Sequence, residues 1–100
     1  MKIKMGEDVK TKIEIDRYDC LDLFTALAEI NLVALKKFRK ETSSYPGTLT
    51  SFEEWDIIMK GMIKAFKIIV EDPFPETPEQ TKAVEEGLQL YARYFRHLWI

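Results

Sequence analysis

The feature that most constrains the fold of this chain is a stripe of large apolar side chains between positions 51 and 71. The stripe consists of Trp55, Met59, Met62, Phe66 and Ile69. Alternating steps of four and three residues keep these side chains on one face of an α-helix, which turns once in about 3.6 residues. Ser51 and Glu54 match the capping-box pattern of a helix start. We therefore predict a helix over 51–71 whose apolar face lies in a core.

A second stripe of the same period predicts a helix over 78–99. Its members are Val84, Leu88, Tyr91, Phe95 and Leu98. Thr77 is suited to cap this helix, and Pro78 suits its first turn, where the missing N–H of proline costs nothing. Gly61 and Gly87 lie inside the two helices, where glycine costs about 1 kcal/mol relative to alanine. The usual reason for such a glycine is a second helix that approaches closely.

The segment 16–40 predicts another helix, which is apolar on nearly every side. Its polar residues between Cys20 and Leu35 are Asp22, Thr25, Glu29 and Asn31. A helix without a polar face is buried on more than one side. This helix is therefore either central in the bundle or sandwiched in an oligomer, and Cys20 is expected to be a buried, reduced thiol.

The N-terminal segment 1–15 has a different period. Val9, Thr11, Ile13 and Ile15 alternate with charged residues, which indicates a β-strand. Residues 3 and 5 repeat the pattern weakly, and Gly6-Glu7-Asp8 is suited to the turn of a hairpin. The alternative is that this segment is a flexible arm.

Together these patterns predict one mainly α domain over 1–100, a three-helix bundle with a short N-terminal β-strand or hairpin. We expect self-association into a dimer or a larger oligomer, because the first helix has too little polar surface for two neighbours. No apolar run approaches the ~18 residues that cross a membrane, so we predict a cytoplasmic protein without a membrane partner. The formal net charge of −2 disfavours nucleic acid as a partner.

The sequence has no signature of catalysis. His97 is the only histidine, no nucleophile motif accompanies it, and no glycine-rich loop precedes a helix. Asp16, Asp19 and Asp22 fit a helix cap and a solvated first turn better than a metal site, which would need more oxygen ligands. We predict a protein that is not an enzyme and has no catalytic residues, no metal and no cofactor.

Two basic groups are the candidate binding residues. The first lies at the C-terminal end and contains Arg93, Tyr94, Arg96, His97 and Trp99. Guanidinium groups bind phosphate and aromatic faces stack on bases, so this group could form half of a nucleotide pocket. The second group contains Lys60 and Lys64, followed by Lys67. The alternative is that both groups are solvated helix faces, and an anionic ligand is favoured only if they face one cleft.

Several short motifs resemble a group of small helical proteins encoded by bacteriophages and prophages. They are the Tyr-Pro turn at 45–46, Glu-Glu-Trp-Asp at 53–56, Met-Ile-Lys-Ala-Phe at 62–66, Glu-Gly-Leu-Gln-Leu-Tyr at 86–91 and Tyr-Phe-Arg-His-Leu-Trp at 94–99. The resemblance covers the chain from about 16 to 99. It implies a small accessory protein that acts by binding in the host cytoplasm.

Two functions follow as hypotheses. The first is a non-enzymatic phage protein that counteracts host defence by sequestering an anionic signal, a cyclic or other signalling nucleotide, at an oligomer interface. The second is a protein–protein inhibitor that binds a host or defence protein through a helix face. Both hypotheses are based on the biology of phage accessory proteins and not on a catalytic or binding motif.

Overall fold

The fold was obtained as a computed structural model, which describes residues 1–7, 9–72, 74 and 76–100. The strands β1 (Lys2–Gly6) and β2 (Val9–Glu14) come first, and a short helix α1 (Arg17–Cys20) follows. The long helices are α2 (Leu23–Glu41), α3 (Phe52–Glu71) and α4 (Pro78–Tyr94), and a 3₁₀ turn over Phe95–His97 extends α4. The prediction of a mainly helical chain with an N-terminal hairpin is confirmed.

The hairpin is antiparallel and pairs Ile3 with Ile13 and Lys4 with Lys12. Gly6 adopts a φ of 150°, a region that glycine reaches more easily than any other residue, and the register shifts just before it. The predicted turn includes Asp8, which lies outside the described residues. The hairpin stands off from α2 across an open apolar gap, and among the described residues no Cα atom of the strands comes within 8 Å of a helix Cα.

The predicted single helix over 16–40 is broken in the structure. Asp16 and Asp19 form a complete capping box at the start of α1, but the helical path stops at Leu21 and Asp22 before α2 begins. Asp22 takes the N-cap position of α2 in a non-helical conformation. Cys20, at the end of α1, is exposed, so the prediction of a buried thiol is wrong.

The central helix is α3, not the first long helix. It packs against both α2 and α4, whereas no Cα atoms of α2 and α4 lie within 8 Å of each other among the described residues. Trp55, Met59 and Met62 of α3 are at most 1% exposed, and the rest of the predicted α3 stripe is buried with them. The apolar excess of α2 is therefore not explained by a central position, because Leu27 and Val33 are exposed.

The contact between α3 and α4 is made through small residues, as the glycines indicated. A Cβ atom placed on Gly87 would collide with the Cβ atom of Ala65 and would lie 2.6 Å from the carbonyl oxygen of Gly61. The two helix backbones can approach this closely only because Gly87 has no side chain. This contact fixes the rotation of α4 about its axis.

That rotation corrects the predicted α4 stripe. Leu88 and Phe95 are 40% and 56% exposed, whereas Tyr94, which lies outside the stripe, is buried in the core. Tyr91 stays at the edge of the core, where its ring meets Phe66 edge-on at 5.0 Å. The stripe as predicted is thus turned partly toward solvent, because Gly87 rather than Leu88 faces α3.

Candidate functional site

A groove lined mainly by cationic side chains lies between α2 and α3. We call it the basic groove. Its space is about 480 Å³, and Ile63 contributes an apolar patch to its wall. All its other lining residues are cations: Lys36, Arg39, Lys40, Lys60, Lys64 and Lys67. Clefts of this size hold small molecules rather than macromolecules.

The convergence of these cations follows from the helix period and from the direction of the two helices. Lys60, Lys64 and Lys67 are spaced by four and three residues, so they share one face of α3. Lys36 and Lys40 are spaced by four residues and share one face of α2. Because the two helices run antiparallel, the end of α2 lies beside the first half of α3 and the two basic faces meet.

One carboxylate organises the wall of the basic groove. Asp56 accepts hydrogen bonds from Arg39, with the Nε atom 2.7 Å from Oδ1 and an Nη atom 3.2 Å from Oδ2. The ammonium of Lys60 lies 3.3 Å from the same carboxylate. The hydrogen bonds from Arg39, followed by those from Lys60, hold the pKa of Asp56 below its ordinary value. Arg39 is thereby fixed in position and its charge is largely compensated.

The other four lysines of the groove have no carboxylate within salt-bridge distance in the part of the chain that the structure describes. With Asp56 included, the groove holds six cationic side chains and one anionic one, a surplus of five positive charges. The whole chain carries a net charge of −2. The positive charge is therefore concentrated locally, and such a field attracts small anions.

The predicted site residues are divided between two places. Lys60 and Lys64 line the basic groove, together with Lys67. Arg93, Arg96, His97 and Trp99 surround a space at the C-terminal end of the chain. The described residues that line the basic groove include no member of the C-terminal group, and those that line the C-terminal space include no lysine of α3. The nucleotide hypothesis required the two predicted basic groups to face one cleft. The lysines of α3 instead share a groove with cations of α2, and not with the arginines at the end of α4.

Tyr94 does not offer a face for stacking. It is 7% exposed, and its ring packs on Trp55 with centroids 5.6 Å apart. The guanidinium of Arg93 lies 5.5 Å from the centroid of the same ring, a cation–π arrangement. Tyr94 is therefore a core residue, and Arg93 is partly engaged in covering it.

The remaining C-terminal residues form a small cleft with the loop that precedes α3. His97 and Trp99 face residues 44–47, including Tyr45 and Pro46, across a space of about 280 Å³. Trp99 is largely exposed, so one aromatic face is accessible there. Arg96 lies beside this cleft and not inside it. We call the space between residues 44–47 and the pair His97 and Trp99 the C-terminal cleft.

Lys36, Arg39 and Lys40 were not among the predicted site residues. They belong to the run Lys36-Lys37-Phe38-Arg39-Lys40 in the last turns of α2. Cations at the C-terminal end of a helix are favoured by the helix dipole, so this run has an ordinary structural explanation. The sequence signal for the groove was this run in combination with Lys60 and Lys64. Interpreting the two together requires knowing that their faces on α2 and α3 meet.

The acidic group Asp16, Asp19 and Asp22 has a structural explanation in its first two members. Asp16 and Asp19 cap α1 reciprocally, and Asp19 also lies 2.8 Å from the amino group of Met1. The hydrogen bond from that amino group, followed by the one from the Asp16 backbone, lowers the pKa of Asp19. Within the described ranges, no three His, Cys, Asp or Glu side chains are placed to hold a metal ion.

Comparison with known proteins adds no family. A scan against protein-family models and searches of curated proteins and of solved structures gave no match. The resemblance to phage proteins therefore stays a prediction. Among the described residues, no helix is both long and apolar enough to span a bilayer.

Proposed function

We propose that this chain is a non-enzymatic binding protein for an anionic signalling nucleotide, whose phosphate groups occupy the basic groove. The observation that supports this proposal is the convergence of six cations from two helices in a protein of net charge −2. Four of these cations are lysines without a carboxylate partner among the described residues. Ammonium and guanidinium groups form charge-assisted hydrogen bonds with phosphate oxygens.

The size of the groove favours a ligand with two or three phosphate groups over a nucleic acid. Lys60 and Lys67 are seven residues apart, which corresponds to about 10 Å along α3. This length matches a cyclic dinucleotide or a nucleoside triphosphate. A duplex would contact a longer basic surface, and the net negative charge of the chain would oppose it.

The groove favours recognition of charge over recognition of the base. Among the described residues, its lining contains no aromatic side chain, and Ile63 is the only apolar member. Because the attraction is mainly electrostatic and the groove is open to solvent, affinity should fall as ionic strength shortens the Debye length. The sequence predicted a ligand trapped between subunits, but this groove is formed within one chain and does not require a partner.

In the phage context that the resemblance implies, the protein would act in the host cytoplasm. A chain that binds a defence nucleotide without converting it would lower the free concentration of that nucleotide. Recovery of the bound compound unchanged after incubation, measured by chromatography, tests the prediction that the protein is not an enzyme. A changed product would contradict it.

The central experiment is a calorimetric titration with a cyclic dinucleotide, a nucleoside triphosphate and inorganic pyrophosphate, and it compares Lys36→Glu with Lys37→Glu. The two residues are adjacent on α2, but Lys37 is not among the residues that line the groove, and it pairs with Glu41 at 2.9 Å. The two substitutions change the net charge equally. We expect Lys36→Glu to weaken binding by at least about 10- to 150-fold, because it removes one charge-assisted hydrogen bond of ~1.5–3 kcal/mol and adds a carboxylate that repels phosphate.

The control variant Lys37→Glu should change the affinity for the ligand less than about threefold, because salt screens an exposed charge that lies outside the groove. Equal losses in the two variants, or no binding of any of the three compounds, would overturn the proposal. A loss on Arg96→Glu without a loss on Lys36→Glu would place the ligand instead in the space that Arg93, Arg96, His97 and Trp99 surround.

The protein–protein inhibitor stays the second candidate function. It is favoured by apolar side chains that are exposed on the surface of α2, such as Leu27 and Val33. An inhibitor of this kind would retain its partner after Lys36→Glu and would lose it after Leu27→Glu. The two variants therefore separate a ligand-binding function from a helix-face function.

A further inference from the structure

On one side of the molecule, α2 and α4 each present a row of described residues that contains no charged side chain. On α2 the positions 24, 27, 31, 34 and 38 follow one face, and on α4 and the turn after it the positions 81, 84, 88, 91 and 95 do the same. All ten residues are uncharged, although 32% of the chain is charged. We call this side the uncharged face.

The two helices present these positions at the same level. Both α2 and α4 run antiparallel to α3 and therefore parallel to each other. The hydroxyl group of Tyr91 donates a hydrogen bond to the Asn31 side chain, which itself donates to the carbonyl of Leu27 at 2.9 Å. The polar groups in the middle of the face are thus paired internally.

Large apolar side chains flank this polar pair. Phe24 and Leu27 are 46% and 45% exposed on one helix, and Leu88 and Phe95 are exposed to a similar extent on the other. The face is continuous with the core, because the Tyr91 ring contacts both Phe66 of α3 and Phe95. Since no Cα atoms of α2 and α4 lie within 8 Å of each other among the described residues, the arrangement is a helical bundle that lacks a cover on one side.

We propose that the uncharged face binds the uncharged face of a second copy of this chain, in a two-fold symmetric dimer. Depletion of charged residues and enrichment of aromatic ones characterise the centre of an interface, and permanent homodimer interfaces resemble a domain core cut in half. A symmetric dimer brings a surface against itself, which is costly for a charged surface but not for an uncharged one.

The dimensions of the face suit a stable dimer. The part of α2 that belongs to the face, positions 24–38, extends about 21 Å, and two helices side by side are about 20 Å wide. The projected area is therefore about 420 Å², and the relief of the side chains increases the accessible area toward the ~800 Å² that each partner contributes to a standard interface. The molecule is broad and thin, with extents of 44 × 43 × 18 Å. This shape suits one layer of helices that a second copy of the chain covers.

The test is sedimentation velocity over protein concentrations from about 1 to 100 µM, with Leu27→Glu and Phe95→Glu as variants. Ile57→Glu is the matched control, because Ile57 is 63% exposed on α3 and lies outside the uncharged face. We expect a dimer for the unmodified chain and for Ile57→Glu. Each variant in the face should weaken dimerisation by at least 100-fold.

Helix content measured by circular dichroism shows whether each variant is folded, and Leu88→Gln provides a milder, uncharged change in the same face. A chain that stays monomeric throughout the concentration range overturns the proposal. So does a dimer that survives both Leu27→Glu and Phe95→Glu, or one that Ile57→Glu dissociates equally well. If a host protein binds the monomer and Leu27→Glu abolishes that binding, the face serves a different partner and the proposal is likewise overturned.

Discussion

Substitution of Gly87 by alanine tests the tight contact between α3 and α4. The added methyl group would collide with Ala65 and would lie 2.6 Å from the carbonyl oxygen of Gly61. Neither atom is at the end of a flexible side chain, so the helices must move apart. Overpacking of this kind costs about 1–3 kcal/mol, and the backbone contact places Gly87→Ala near the upper end.

The gain in helix propensity on replacing glycine by alanine, about 1 kcal/mol, offsets part of this cost. We expect a net loss of about 2 kcal/mol in the free energy of unfolding. For a domain of this size that corresponds to a melting temperature lower by roughly 8–16 °C. Urea unfolding followed by circular dichroism, at one fixed protein concentration, measures the loss as a shift of the midpoint at constant slope.

Gly61→Ala is the matched control. Its methyl group would meet only the Cδ1 atom of Leu90, at 2.9 Å, and that atom is the movable end of a side chain. The cost of moving it and the gain in propensity are both about 1 kcal/mol, so the stability should stay within about 1 kcal/mol of the unmodified protein. If Gly87→Ala proves as stable as Gly61→Ala, α3 and α4 do not approach as closely as described.

Three further predictions concern the core and the helix start. Met59→Ala should lower the free energy of unfolding by about 2–5 kcal/mol in urea titrations, because Met59 is fully buried. Ser51→Ala should cost about 1 kcal/mol in the same assay, because the serine oxygen accepts a hydrogen bond from the Glu54 N–H at 3.1 Å. Burial raises the pKa of the Tyr91 hydroxyl above its ordinary value. The neutral tyrosine therefore contributes fully to the free energy of unfolding below about pH 10, and this contribution is lost as the pH rises further. Unfolding measured at pH 8 and pH 11 should show this loss, and Tyr91→Phe should remove that residue's part of it.

The stripe of α3 was predictable because a single helix determines it. Its five members are large and apolar, and the remaining face of α3 is rich in charge, so the period allows one orientation only. The structure buries all five. The cap at Ser51 was predictable for a similar reason, since a cap depends on residues three positions apart.

The stripe of α4 was not predictable from period alone. Tyr94 and Phe95 are adjacent aromatic residues, and either can complete a repeat that begins earlier in the helix. The contact of Gly87 with α3 selects Tyr94 for the core and leaves Phe95 more than half exposed. A glycine inside a helix therefore constrained the rotation of α4 more strongly than the apolar pattern did.

The basic groove was predictable only in part for a related reason. The lysines of α3 were recognised as one face, but the sequence does not state which neighbouring helix that face meets. Pairing them with Arg93 and Arg96 was one choice, and the structure instead places Lys36 and Lys40 beside them. The position of a helix around its neighbours is a tertiary property, whereas a helical face is a local one.

The stoichiometry of ligand binding joins the groove and the dimer in one prediction. On α2, Lys36 and Lys40 lie about 140° and 180° around the helix axis from Asn31, and Arg39 lies about 80° from it, at about 100° per residue. The groove and the uncharged face are therefore on different sides of α2. A dimer formed through the uncharged face would leave both grooves accessible. We therefore expect one ligand per chain in calorimetry, with the same affinity in Leu27→Glu as in the unmodified protein. A ligand trapped between subunits would instead give one ligand per two chains and would be lost when the dimer dissociates. Such a result would contradict binding within a single chain and restore the interface site that the sequence suggested.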